Sequence, residues 1–447
     1  MEFSGENPHW NLVDEERKHI HMNLPRRFSF GNNEADSEFT SARTSCVSAA
    51  SFPLWPISPE TPWTRSPMRV SLSPPLLYHC LASLHRSEGN IFSIAVTNDF
   101  IYTGSASSRI HAWKQPDCTE MGHIKATIGE IRAILAYGKM LFTTHGDYRI
   151  RVWDVSLTEN FRPKKTFTLP RRRSFFSFLK KNNEQHRDSI SCIAYNHEEK
   201  LLYTGSWDKT VKVWKISEKR HVDSFVAHEG HVNAIVLNQE DGCVFTCSSD
   251  GTVKIWRRVF RESSHILTMT LKFQPSPVNA LALSLSPGEC VLYSGSSDGL
   301  INFWEKERMS GRYNHGGFLQ GHHFAVLCLA TIKDLILSGS EDTTIRIWRR
   351  EDGNSLHSCL AVIDGHHGPV KCLAAALETE EIMMGLLVYS ASLDKTFKVW
   401  RVKLYPAEKE KLEKSEANDQ HSKTTDCQLS PVLSPLWVEK KIQGSDF

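Results

Sequence analysis

At 447 residues, with 40% apolar and 23% charged side chains, the chain has ample material for one large folded domain flanked by tails. Its formal net charge of +2 supplies no global field, so attraction to nucleic acid or an acidic membrane would need a local patch. Eleven cysteines without any Cys-x-x-Cys spacing argue against a disulfide framework and for a reducing compartment. Cys192, Cys328 and Cys372 fall singly inside apolar runs, as small buried thiols do.

Residues 1–75 are rich in Ser, Pro, Arg and Asn and show no sustained periodicity, which reads as a disordered tail. The tail has no apolar leader core, and no run of about 18 apolar residues occurs anywhere, so a cytoplasmic or nuclear location is expected. It carries candidate phosphorylation sites at Ser29 in RRFS and at the Pro-directed Ser58, Thr61, Ser66 and Ser73, where added charge would change its partners.

The folded domain is predicted over 76–404 and opens on a short apolar run, LLYHCLASLH, at 76–85. Seven segments then end on a tryptophan in one pattern, from FIYTGSASSRIHAW through LILSGSEDTTIRIW to LVYSASLDKTFKVW. The tryptophans are Trp113, Trp153, Trp214, Trp256, Trp304, Trp348 and Trp400, spaced by 40, 61, 42, 48, 44 and 52 residues. Each segment reads as two strands around a tight turn, because apolar residues alternate in period two on either side of small and acidic turn residues. Another alternating run precedes each pair, as VLCLA does, and a further one follows, as HILTMTLKF does. Four strands per repeat make a blade, and the predicted fold is all-β, a seven-bladed propeller. The charged sequence after Trp400, RVKLYPAEKEKLEK, makes a poor outer strand, so the orphan run at 76–85 is predicted to complete the seventh blade and leave the ring without an open edge.

The 61-residue spacing contains a basic insertion, RPKKTFTLPRRRSFFSFLKKN at 162–182, with eight Lys or Arg and no acid. Three readings of it compete. Lys164, Lys165, Arg171, Arg172 and Arg173 suit nuclear import or an acidic partner; Phe175, Phe176, Phe178 and Leu179 among basic flanks suit a membrane surface; a solvated loop without a role needs nothing further. Ser174, following three arginines, is a candidate phosphorylation switch for any of these. Residues 405–447 form a second tail, charged and disordered, with candidate sites at Ser430 and Ser434.

A His stands four residues before the inner strand in four repeats, an Asp six before the tryptophan in six, and a Ser or Thr four before that turn position in all seven. These residues resemble those of WD-repeat proteins, in which Trp, Ser/Thr, His and Asp form a hydrogen-bonded chain. The resemblance implies His186–Thr204–Asp208–Trp214, His228–Thr246–Asp250–Trp256, His322–Ser338–Asp342–Trp348 and His366–Ser390–Asp394–Trp400. Such a chain satisfies polar groups that would otherwise be buried unpaired. A hydrolase triad is disfavoured, since the set repeats in four blades without an oxyanion-hole context. The first repeat has Ser107 for the Asp, the first two lack the His, and the fifth has Gln274 in its place, so blades one, two and five are expected to be softer. Only Trp153-Asp154 spells the literal Trp-Asp pair. More narrowly, SPPLLYHCLASLHRSEGNIFSIAV, PSPVNALAL, LQGHHFAVLCLA and IWRREDGNSLHSCLAVIDGHHGPVKCLAA look like the plant JINGUBANG-like WD-repeat proteins, a regulatory group.

The WD-repeat resemblance also implies a partner-binding face lined by the residue before each Asp position: Ala106, Gly146, Trp207, Ser249, Ser297, Glu341 and Leu393. Trp207 is either an interface anchor or packing against a neighbouring loop. The expected function is a non-catalytic interaction scaffold or regulatory adaptor for other proteins, in plant signalling or transcriptional regulation. The alternative is a substrate receptor of a cullin-type ubiquitin ligase, although Trp153-Asp154-Val155-Ser156 lacks the Arg of a Trp-Asp-x-Arg ending. No cofactor, catalytic group, metal or small-molecule substrate is expected. Direct nucleic-acid binding is disfavoured because only one segment is basic.

Overall fold

Alternation in segments such as LLYTGS and TVKVWK puts every second side chain on one face of a sheet, and stacking such sheets radially buries both faces. The computed structural model describes residues 76–404 apart from 86–88, 116, 127–128, 157–160, 172–183, 260–263, 287, 352–354 and 379–383. The two tails, Arg172, Arg173, the Phe175–Leu179 cluster and every candidate phosphorylation site lie outside the described residues. Among the described residues twenty-eight strands, β1 to β28 in chain order, form seven four-stranded antiparallel sheets. Blades one to six take four consecutive strands each, from β2–β5 (91–125) through β6–β9 (134–169), β10–β13 (190–226), β14–β17 (232–271) and β18–β21 (278–319) to β22–β25 (326–363).

The seventh sheet has the order β1-β28-β27-β26, with β26 (Val370–Glu378) innermost and β1 (Leu76–His85) outermost, paired antiparallel to β28 (Thr396–Leu404). The first strand of the domain therefore closes the ring, as the charged sequence after Trp400 suggested. Its register makes the match closer still. In blade three the outer strand pairs His221 with Trp214 and then skips one residue to pair Asp223 with Val213. In blade seven Cys80 pairs with Trp400 and Ala82 with Val399, the same one-residue bulge opposite the same tryptophan. A bulge leaves one residue unpaired and bends the strand, and β1 carries it where the outer strands of the other six blades do.

Seven apolar clusters hold the ring, one at each junction between neighbouring blades. At every junction the tryptophan of the following blade packs on the hairpin of the preceding one, as Trp214 does with Phe142 and Val152. The closing junction is built alike, with Ile91, Ile101 and Trp113 of blade one against Leu387, Tyr389 and Phe397 of blade seven. Near the axis, side chains tie inner strands to their neighbours. Asn233 Nδ2 donates to the carbonyl of Val278 at 2.8 Å, and Asn279 Nδ2 to that of Val326 at 3.1 Å. No disulfide is present among the described cysteines; Cys243, Cys247, Cys328 and Cys372 are buried free thiols and Cys192 is half-buried.

The basic insertion is not all loop. Lys164 and Lys165 belong to β9 (Lys164–Leu169), the outer strand of blade two, where Lys165 pairs with Trp153 and Lys164 with Asp154. Alternating Lys165, Phe167 and Leu169 turn the apolar side chains inward, so KKTFTL is a strand with a basic start rather than part of a loop. Arg171 follows it, exposed.

Candidate functional site

In four blades the loop entering the inner strand brings a histidine over the hairpin between the second and third strands. In blade three Trp214 Nε1 donates to Thr204 Oγ1 at 3.0 Å, Thr204 Oγ1 lies 2.9 Å from His186 Nε2, and His186 Nδ1 lies 2.9 Å from Asp208 Oδ2. The same chain runs through Trp256, Thr246, His228 and Asp250 at 3.0, 2.8 and 2.9 Å. It recurs through Trp348, Ser338, His322 and Asp342 at 2.9, 2.7 and 2.9 Å, and through Trp400, Ser390, His366 and Asp394 at 2.8, 2.7 and 3.1 Å. One proton arrangement satisfies all of it: indole N–H to hydroxyl oxygen, hydroxyl O–H to Nε2, and Nδ1–H to carboxylate. In that arrangement each ring carries its one proton on Nδ1. Burial holds His186, His228 and His366 below the ordinary imidazole range against the pull of their aspartates. Burial alone would raise the aspartates, but donors outweigh it and bring Asp250 and Asp394 down to about 2.

The chain has a fifth member that spacing from the tryptophan alone did not bring out. Thr210, Thr252, Thr344 and Thr396, two residues after each Asp, donate to its Oδ1 at 2.6 to 2.7 Å. The signal is readable as Asp-x-Thr, and it fails in the three blades that also lack the loop histidine. The backbone N–H of the residue after each histidine, as of Arg187 or His323, completes the shell on Oδ2. The four hydroxyls are fully buried, so none can meet a substrate carbonyl, and these sets are framework.

Blade two departs from the expectation that it lacks a histidine. His145, inside its own hairpin, places Nε2 2.8 Å from Thr143 Oγ1, which accepts from Trp153 Nε1 at 2.9 Å. Asp147 turns instead to Arg151, in a two-armed pair at 3.0 and 2.8 Å. Burial first, and then the Arg151 cation, push His145 down to about 3 although Asp147 opposes them. In blade one Ser107 meets Ser105 Oγ at 2.7 Å and Trp113 Nε1 reaches Thr103 Oγ1 at 3.0 Å.

These hairpin turns and the loops entering the inner strands share one end of the ring, because successive antiparallel strands turn at alternate ends. The proposed partner positions all lie there. Ala106, Gly146, Ser297, Glu341 and Leu393 are exposed, whereas Ser249 and Trp207 are half-buried. Six of them are fixed by a backbone bond to the loop entering the inner strand, such as Leu393 N–H to Pro369 O at 2.9 Å. Trp207 is braced on both sides. The Arg132 guanidinium lies 4.3 Å from its ring centroid, and the His231 ring lies 5.6 Å away while Nδ1 donates to the Trp207 carbonyl at 2.8 Å. Packing against neighbouring loops and partial exposure coexist there.

The most exposed aromatic of this face is Phe324, two residues before the inner strand of blade six and 60% exposed. Sequence reading passed over it because an aromatic beside an apolar run looks like core. Among the described residues no cluster of three or more His, Cys, Asp or Glu could hold a metal, and no helix is long and apolar enough to cross a membrane.

The model of the WD domain, G-beta repeat, matches at residues 178–215, 219–257, 266–305, 314–349 and 357–401. The chain therefore carries WD repeats in a seven-bladed β-propeller, which implies a protein-interaction scaffold or adaptor. The matches cover blades three to seven and miss blades one and two. Among curated proteins, it is 27% identical over 141 residues to myosin heavy chain kinase C of Dictyostelium discoideum. It is also 27% identical over 95 residues to zinc finger CCCH domain-containing protein 59 of Arabidopsis thaliana. These alignments cover 30% and 21% of this chain but only 15% and 17% of the relatives' own length.

Proposed function

We propose that the protein is a non-catalytic regulatory adaptor that holds partner proteins against the hairpin-turn face of the ring. The observation that carries this is Phe324, a large aromatic exposed on a rigid rim with exposed Leu393 and half-exposed Trp207 on the same face. Buried aromatic anchors supply much of the energy of interfaces, and a fixed ring offers them with little ordering cost. A role in plant signalling or transcriptional regulation, in cytoplasm or nucleus, is our extension of this reading from the resemblance to JINGUBANG-like proteins.

Affinity capture with the full chain tests it. Phe324→Ala is expected to lower recovery of captured proteins at least tenfold without shifting the melting temperature, because the side chain supports little of the fold. Trp207→Ala is expected to weaken capture too, with a small loss of stability from the lost Arg132 and His231 contacts. Unchanged capture by both variants would move the interaction away from this face.

A further inference from the structure

Blade five keeps two ends of the polar chain and has lost its middle. Trp304 Nε1 still donates to Ser294 Oγ, at 3.2 Å, and Asp298 still stands in the turn with its Oδ1 bonded by the Leu300 N–H at 2.9 Å and by the Ser296 hydroxyl. Gln274 stands where four other blades have histidine, and its side chain is exposed. The residue after it is Pro275, which has no N–H, so the backbone donor that reaches Oδ2 in four blades is missing as well. Leu300 replaces the threonine. Among the described residues no donor reaches Asp298 Oδ2, and the Ser294 proton has only the Asn302 carbonyl at 3.5 Å. A notch opens there to the hairpin-turn face, lined among others by Gln274, Ser294, Asp298 and Trp304.

We infer that this notch is a receptor for a neutral imidazole, delivered as the histidine side chain of a partner protein. A ligand filling it must donate to Asp298 Oδ2 and accept from the Ser294 hydroxyl. An ammonium or guanidinium donates but cannot accept. Imidazole does both, and four other blades hold one between the same two groups. Its capture would desolvate Asp298 while pairing it, and would free Ser294 from its long bond to Asn302. Delivery by a partner rests on the adaptor reading above; the affinity of the notch for imidazole does not.

The test uses imidazole and 1-methylimidazole as probes at pH 8, where both have a large neutral fraction, with the indole N–H resonance of Trp304 as readout. Imidazole is expected to shift that resonance saturably, and 1-methylimidazole, which lacks the N–H, at least tenfold more weakly. Asp298→Ala should weaken imidazole at least tenfold. Gln274→His should supply the ring from within the chain, abolish the response and raise the melting temperature. No saturable shift in the natural protein, equal binding of the two probes, or an unaltered response in Gln274→His would each overturn the inference. Imidazole binding without partner capture at this face would instead refute the adaptor reading and delivery by a partner with it, and leave the imidazole site standing.

Discussion

Ser338→Ala measures directly what the buried polar chain contributes. The Ser338 hydroxyl is fully buried, accepts from Trp348 Nε1 at 2.9 Å and lies 2.7 Å from His322 Nε2. Removing it leaves an indole N–H and an imidazole nitrogen buried without that partner, at about 1–3 kcal/mol each, so a loss of about 2–6 kcal/mol is expected. Ser294→Ala in blade five is the internal control. That hydroxyl meets Trp304 Nε1 at 3.2 Å and no histidine, so only one buried donor is orphaned and the expected loss is about 1–3 kcal/mol, half that of Ser338→Ala. Urea unfolding followed by tryptophan fluorescence and by circular dichroism gives both values, provided the two transitions coincide. Equal losses, or a loss below about 0.5 kcal/mol for Ser338→Ala, would refute the claim that the histidine-containing chain carries the extra stability.

Stability should also fall as the medium is acidified. Burial holds His315 and His357 at about 4 and His145 at about 3, so they stay neutral in the fold, while in the unfolded chain each protonates near 6.5. Below pH 6.5 the unfolded state binds more protons, and each of the three should subtract about 1.4 kcal/mol per pH unit until its folded value is reached. Denaturant midpoints between pH 7.5 and 5 check this, and a flat profile would contradict it. Deleting 76–85 should unfold the ring, since it removes the outer strand opposite Trp400 together with buried Leu76; normal melting of a chain starting at 87 would contradict closure by β1. Thr343 sits at φ 71°, where Gly251 and Gly299 stand in their own turns, so Thr343→Gly should gain about 0.5–1 kcal/mol by relieving β-branched strain, read from the same midpoints.

Much of this architecture was legible in the sequence, because the tryptophan, the hydroxyl ten residues before it and the Asp six before it repeat at fixed offsets along hairpins of constant geometry. Closure by β1 was legible for a different reason: a charged run cannot serve as the last outer strand, and an apolar orphan was on hand at the other end. What escaped reading lay where residue type and position part company. His145 occupies a turn position rather than the loop, and only the fold shows that its ring reaches Thr143. Lys164 and Lys165 were read by charge, although the alternation through Phe167 and Leu169 already marked a strand. Phe324 escaped because exposure of an aromatic next to a strand is a property of the ring's end, which no local pattern encodes.

The claim that matters most is that the hairpin-turn face holds the partner. Photocrosslinking from two exposed positions of the full chain tests it most directly: Phe324 on that face, and Met309 in the turn between the third and fourth strands of blade five, at the opposite end. A photoreactive residue at 324 is expected to join covalently to captured protein, and one at 309 to remain unjoined. Crosslinks from 309 with none from 324 would contradict the account.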